Sequence, residues 1–328
     1  MGVYLNNPKS NGKKKERREG VRLDETVKLL FEVSKELLVK TLNSLFGEDF
    51  DADKVEIDKT ATEYPKTDIS IIRADIFIKI TEYKPNHFHI EIETEPSHEI
   101  AVRVFEYDIM KAISNWRLSG QTKGVPELFM PKTIVIHIEG SSIIPKDEHE
   151  VKIIMADGVI MNYSAKVMRY FDYDKDRLIK ENLYTLLPLQ VFMLRAELDR
   201  MTAKGDKQEQ QTALNKAKDL TVVIANEIMN LYQKKELSFY DVDRILLALQ
   251  EMFTHLNNRY VSNEKLNKEV ENMVRTLIDP KLVNKTKTEQ ATELAKKMLS
   301  NNEPMSKIID YTELTEKQIE NIQKSLNK

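Results

Sequence analysis

Between Ile72 and Glu93 apolar and polar side chains alternate with a period of two. Ile72, Ala74, Ile76, Ile78 and Ile80 alternate with Arg73, Asp75, Phe77 and Lys79. After a short loop at 84–87, Phe88, Ile90 and Ile92 alternate with His89, Glu91 and Glu93. That spacing predicts two strands, each with one buried face. The loop is short enough for an antiparallel pair, in which Asp75, Glu91 and Glu93 project from the other face and can converge. Three carboxylates on one sheet face repel one another unless a hard divalent cation or a solvated surface takes up the charge.

The pattern on either side of this pair predicts its surroundings. Upstream, Val27, Leu30, Phe31, Leu38, Leu42 and Leu45 recur at helical spacing, with Asp24 as the expected N-cap of one long helix to about Phe46 and Gly47 as its stop. Val55–Lys66 reads as a strand and a turn. Pro96-Ser97 opens a helix over Ile100–Trp116 that carries Arg103 and Tyr107 and has two apolar lines, so it is expected to be covered on both sides. Thr133–Ile138 reads as a core strand, and Ala156-Asp157-Gly158 joins Val151–Met155 to Val159–Tyr163 as a hairpin. This order implies an α/β core with helices packed over a mixed sheet.

From Arg177 onward helical spacing dominates. Leu186–Met201, Asn215–Gln233, Tyr240–Asn258 and Asn263–Leu277 are candidate helices, with the polar stretch 203–211 as a hinge. Three short helices follow at Thr288–Leu299, Pro304–Tyr311 and Leu314–Leu326, the last with an N-cap signature in Thr312 with Thr315-Glu316-Lys317-Gln318. The expected organisation is therefore a basic arm at 1–20, an α/β core at 21–176 and a helical C-terminal region at 177–328.

Composition narrows the function classes. A chain of 328 residues with 41% hydrophobic and 31% charged residues can bury more than one core and keep a soluble surface. It has no cysteine, which excludes disulfides and thiolate metal sites, and a reducing cytoplasm is the simplest home. No signal peptide and no membrane-spanning stretch are read. The net charge of −3 leaves nucleic-acid binding to local patches, of which Lys13-Lys-Lys-Glu-Arg-Arg18 is one. The glycine-rich phosphate loops, the nucleophile elbow and the kinase motifs are all missing, so no nucleotide cofactor is expected. Histidines stand at 87, 89, 98, 137, 149 and 255 without zinc-ligand spacing. His89 shares the polar strand face with Glu91 and reads as a solvated strand histidine.

Taken in order, Asp24-x-x-x-Lys28, Arg73-x-Asp75, Glu91-x-Glu93 and Arg103-x-x-x-Tyr107 resemble the Rpn family of recombination-promoting nucleases and putative transposases, within the PD-(D/E)XK nuclease superfamily. The likeness covers Leu23–Gly140. It resumes at Ala295-Lys-Lys-Met-Leu299, Ser306-Lys-Ile-Ile309 and Thr312-x-Leu314-Thr-x-x-x-Ile319. The resemblance implies a restriction-endonuclease-like core followed by an all-helical region. It implies Asp75 and Glu91 as metal-binding carboxylates, the carbonyl of Ile92 as a further ligand, and Asp24 or Glu25 at a second metal position. Magnesium is the implied cofactor, with manganese as a substitute, and hard oxygen ligands suit either. Lys28, Lys79, Arg103 and Tyr107 become DNA-binding or supporting residues. The implied partners are DNA and, as an option, a second copy of the chain.

Glu93 departs from the family pattern, which places lysine there in the superfamily and commonly glutamine in Rpn-type relatives. A carboxylate in place of a cation reverses the local field. Two outcomes stay open. Glu93 is a third catalytic carboxylate that helps hold a cation, with Lys28, Lys79 or Arg103 restoring positive charge, and the chain is a magnesium-dependent DNA endonuclease. Alternatively, it is a catalytically impaired DNA-binding or interaction module of the same fold.

Overall fold

A computed structural model describes residues 26–60, 73–120, 123–205, 207–278, 291–301, 303–312 and 314–326, with the backbone alone at 60, 73–75, 324 and 326. The arm expected at 1–20, Asp24, Glu25, the end of the strand and turn expected over Val55–Lys66, residues 67–72, and the expected start of the tail helix at 288–290 lie outside the described residues.

The alternating segments become neighbouring strands of one six-stranded mixed sheet. Its strands are β1 (Glu56–Thr60), β2 (Arg73–Thr81), β3 (Pro85–Glu93), β4 (Lys132–His137), β5 (Glu148–Ile154) and β6 (Ile160–Arg169), in the order β1-β2-β3-β4-β6-β5. β3, β4 and β6 run parallel to one another, and the remaining pairings are antiparallel. β2–β3 and β5–β6 are joined by short turns, whereas the parallel step from β3 to β4 needs a long crossover. A helix at Ile100–Leu118 supplies that crossover and lies over one sheet face, while α1 (Lys35–Phe46) covers the other. The crossover helix is α2.

Burial on β3 departs from the expected single buried face. Phe88 through Glu93 are all buried. Phe88, Ile90 and Ile92 face α1, where the Phe46 and Phe50 rings pack 4.8 and 5.9 Å from Phe88. His89, Glu91 and Glu93 lie under α2, which reaches them through Arg103 and Asp108. The reason is topological: a strand flanked by a parallel crossover is covered on both faces, whatever its side chains. On α2 the deeply buried line is Ile100, Val104, Asp108, Lys111 and Ala112. The second apolar line is less covered than expected, since Phe105 is half-buried against Tyr163 and Val102 is 58% exposed.

The single helix expected from Asp24 to Phe46 is divided. Residues 26–29 are helical, the chain turns through 30–33, and α1 starts afresh at Lys35. The cause is a cap. Ser34 Oγ accepts the Leu37 N–H at 3.2 Å, while the Ser34 N–H and hydroxyl donate to Asp241 at 2.7 and 3.0 Å. Asp241 lies in the first turn of a helix at Phe239–Tyr260, where it also forms a capping box with Ser238. One carboxylate therefore satisfies orphan donors at two helix starts, reaching Ser34 from 207 residues away along the chain. At the far end of α1, Gly47 adopts φ +70° and its N–H donates to Asn43 O, as the expected stop requires.

After the sheet come α3 (Lys175–Lys180), α4 (Leu189–Phe192), α5 (Arg195–Lys204), α6 (Lys207–Gln233), α7 (Phe239–Tyr260) and α8 (Glu264–Leu277). The helix expected over Leu186–Met201 is broken. A 3-10 turn at Tyr184–Leu186 and Pro188, which has no N–H to donate, delay its start to α4, and a turn at Met193–Leu194 separates α4 from α5. The buried Tyr170 hydroxyl donates to Leu186 O at 2.8 Å and holds the break in place. The expected hinge at 203–211 narrows to a turn at Gly205, φ +72°, with helix on either side. The chain forms two compact units, 1–270 and 271–328. The second contains a helix at 291–300, then α9 (Met305–Thr312) and α10 (Glu316–Leu326), around a core of Ala295, Ile308, Leu314 and Ile319. The expected cap of α10 is present: the Thr315 N–H and hydroxyl both donate to Gln318 Oε1 at 2.8 Å.

Asp241→Ala removes both caps at once from a buried position. It is expected to lower the unfolding free energy of the first unit by about 2–3 kcal/mol, read as a reduced urea midpoint with an unchanged slope.

Candidate functional site

Glu91 and Glu93 stand two residues apart on β3, on one face and fully buried. A charged carboxylate under a helix survives only with compensation. Arg103, one turn into α2 and itself 10% exposed, lies over both: its Nη2 donates to Glu91 Oε1 at 3.0 Å and also to Glu93 Oε2. Burial disfavours the guanidinium charge, but the fields of Glu91 and Glu93 outweigh it and hold the Arg103 pKa above its usual value. Across the β2–β3 hairpin, Asp75 is the register partner of Glu91, and Arg73 is the partner of Glu93. The Asp75 side chain lies outside the description.

Two carboxylates against one guanidinium leave the trio formally anionic, and every acceptor in it is a hard oxygen. That donor set fits a magnesium or manganese ion better than any softer metal. Among the described residues the buried Arg103 Nε has no hydrogen-bond partner. Among the described side chains no group of three or more His, Asp or Glu is arranged to hold a metal, a set that does not include Asp75.

The other expected residues divide between this site and elsewhere. Ile92 sits in mid-sheet between Ala74 and Ile136, and its backbone separates the two glutamates. Tyr107 follows Arg103 by one turn of α2 and is half-buried. Lys28 lies in the helical residues 26–29, and Asp24 lies outside the described residues. Lys79 is not brought in: it stands four residues from Asp75, about 13 Å along a strand. Lys79 lines instead a cavity of about 690 Å³ at the far end of α2, with Phe77, His87, Lys111, Trp116 and Phe129. It cannot replace the charge missing at Glu93.

Three polar groups next to the site were not foreseen. His89, expected to be solvated, is fully buried, stacked at 4.2 Å on Phe77, with Nδ1 2.7 Å from Asp108 Oδ1. Asp108 also accepts hydrogen bonds from the Thr133 and Tyr163 hydroxyls. Burial, and then the Asp108 charge, push the Tyr163 phenol far above its usual pKa, so it remains a donor. The signal was present in the sequence: Asp108 is the one acidic position on the Ile100–Val104–Ala112 line of α2. Next to Glu93 in register is His137, whose Nε2 is 2.9 Å from His149 Nε2, so one ring donates and the other accepts. No sequence spacing announces this pair, because β4 and β5 are brought near only by their common neighbour β6. Finally, Arg195 of α5 is 4% exposed and bonds Glu139 at 2.8 Å, with Glu95 at 3.6 Å. It ties the loops that follow β4 and β3 to the helical layer.

No protein-family model matches the chain, and neither the curated proteins nor the solved structures contain a significant match. The site therefore rests on its own chemistry.

Burial, His149 and Arg103 together lower the His137 pKa to about 3, and burial lowers that of His149 to about 4. Both rings fold neutral and take up protons readily only when the chain unfolds. Their contribution is complete above the unfolded value near 6.5 and is lost as pH falls through that value towards 4 and 3. Thermal melting is accordingly expected to drop steadily from pH 6.5 to 4, and His149→Leu to make that drop shallower.

Proposed function

We propose that this chain is a magnesium-dependent DNA endonuclease with a restriction-endonuclease-like core, as the Rpn resemblance implies. The observation that carries the reading is the pair Glu91 and Glu93, buried together on a central strand with Asp75 as the cross-strand partner. Buried carboxylates cost stability and gather where chemistry uses them. Asp75 and Glu91 would hold the ion, with Glu93 and the Ile92 carbonyl as further oxygens, and Asp24 would serve a second position. When bound, such an ion supplies positive charge to phosphodiester oxygens and makes water a stronger acid.

The chain's own residues do the remainder. Arg103 fixes the directions of both glutamates through Nη2, and its guanidinium is a donor group suited to a phosphate oxygen. Tyr107, one turn further along α2, and Lys28 would act as supporting residues. The Asp108 cluster clamps α2 onto β3 and β4, which keeps Arg103 in register with the glutamates.

A second reading is favoured by one specific observation: Arg103 already clasps both glutamates, as a structural ion pair would. In that reading the fold is an impaired nuclease that binds DNA or another partner without cleaving it.

Purified full-length chain is expected to nick supercoiled plasmid in magnesium, and Asp75→Ala and Glu91→Gln to lower that rate by about 10²-fold or more. Equal nicking by all three proteins sinks the proposed site. The second reading predicts no nicking, no magnesium-dependent rise in melting temperature, and retained salt-sensitive DNA binding.

A further inference from the structure

The sheet ends at β5, a seven-residue edge strand whose outer side carries no neighbour among the described residues. On its inner side the Met155 N–H donates to Val159 O and the Val167 N–H donates to Asp147 O, both at 2.8 Å. Odd-numbered positions therefore turn their backbone groups towards β6. By the alternation of an antiparallel ladder, Glu148, Glu150, Lys152 and Ile154 turn theirs outward. No hydrogen bond among the described residues reaches these outward groups. The same four side chains are exposed, and so are Ile160, Asn162 and Ser164 beside them on β6.

Long unpaired edges are usually blunted by proline, a bulge or charged side chains. β5 has no proline, its register with β6 is unbroken, and its charges are Glu148, Glu150 and Lys152. These charges complement themselves. If two copies pair antiparallel about a two-fold axis perpendicular to the sheet, side chains keep their faces only when partners share parity. Three registers then bring the strand centres together. Centring on Glu150 gives two Glu148–Lys152 pairs but sets Glu150 against itself between them, and centring on Lys152 sets Lys152 against itself. Centring on Val151 sets Glu150 of each copy opposite Lys152 of the other, twice, and pairs Glu148 with Ile154. This register also joins outward group to outward group at every even position, for about eight hydrogen bonds. Opposite charges directly across a ladder stabilise it and like charges destabilise it, so the Val151 register is selected.

From this geometry we infer that β5 is a homodimer interface, in which two copies join edge to edge about Val151 to make one continuous sheet. The exposed Ile154 and Ile160 of each copy then add apolar contact next to the seam. The partner is a second copy because the complementarity lies within one strand.

Sedimentation equilibrium of the full chain across micromolar concentrations tests this. The wild type is expected to dimerise. Glu150→Lys alone and Lys152→Glu alone each replace two attractive pairs by two repulsive ones, and each is expected to weaken the dimer about tenfold or more. The double variant Glu150→Lys with Lys152→Glu is expected to recover wild-type affinity. An equimolar mixture of the two single variants is expected to form a heterodimer. These positions are exposed, and circular dichroism confirms that each variant is folded. A wild type that stays monomeric overturns the inference, including the case where a strand of a different protein uses the edge. So does a dimer indifferent to both single charge reversals.

Discussion

The fold depends on how the central strand β3 is closed over on its acidic face. His89, Glu91 and Glu93 point into the space between sheet and α2, where water cannot solvate them. The helix brings its own polar groups to meet them: Arg103 for the two glutamates, and Asp108 for the histidine. Removing Arg103 would take the cationic partner from two buried glutamates, and breaking a buried ion pair costs about 3–5 kcal/mol. The position of α2, and with it the β3–β4 crossover, is thus set by polar matching as much as by Ile100 and Val104.

That matching gives the α2 side of the sheet a graded character. At the Glu91 and Glu93 end lie carboxylates, a guanidinium and a pair of neutral imidazoles. The middle is sealed by Asp108 with its hydroxyl donors, and the far end opens into an aromatic-walled cavity with Lys79 and Lys111. The proposed chemistry uses only the first zone. The middle zone keeps it separate from the cavity, which is why Lys79, close in sequence to Asp75, has no part in the site.

Much of this was legible in the residues. Period-two alternation located β2 and β3 and their antiparallel pairing, Ala156-Asp157-Gly158 located the β5–β6 turn, and Gly47 and Thr315 marked a helix end and a helix start. What stayed hidden depends on partners distant in the chain. The break at Ser34 needs Asp241, the break before Leu189 is secured by Tyr170, and the burial of Glu91 and Glu93 follows from a parallel crossover that periodicity cannot report. Polar residues on a strand read as solvent-facing until topology supplies a second helix. Glu91, Glu93 and Arg103, singled out along the sequence, do meet in the structure. Asp24 and the Asp75 side chain lie outside what the structure describes.

The shared cap at Ser34 also bears on the order in which the protein is made. Synthesis delivers the N-terminal end first, so α1 emerges long before the carboxylate that completes its start. Until residue 241 has left the ribosome, the first turn of α1 must rely on water for donors that the finished molecule satisfies internally. The last step in securing the first helix of the sheet layer therefore waits for three quarters of the chain.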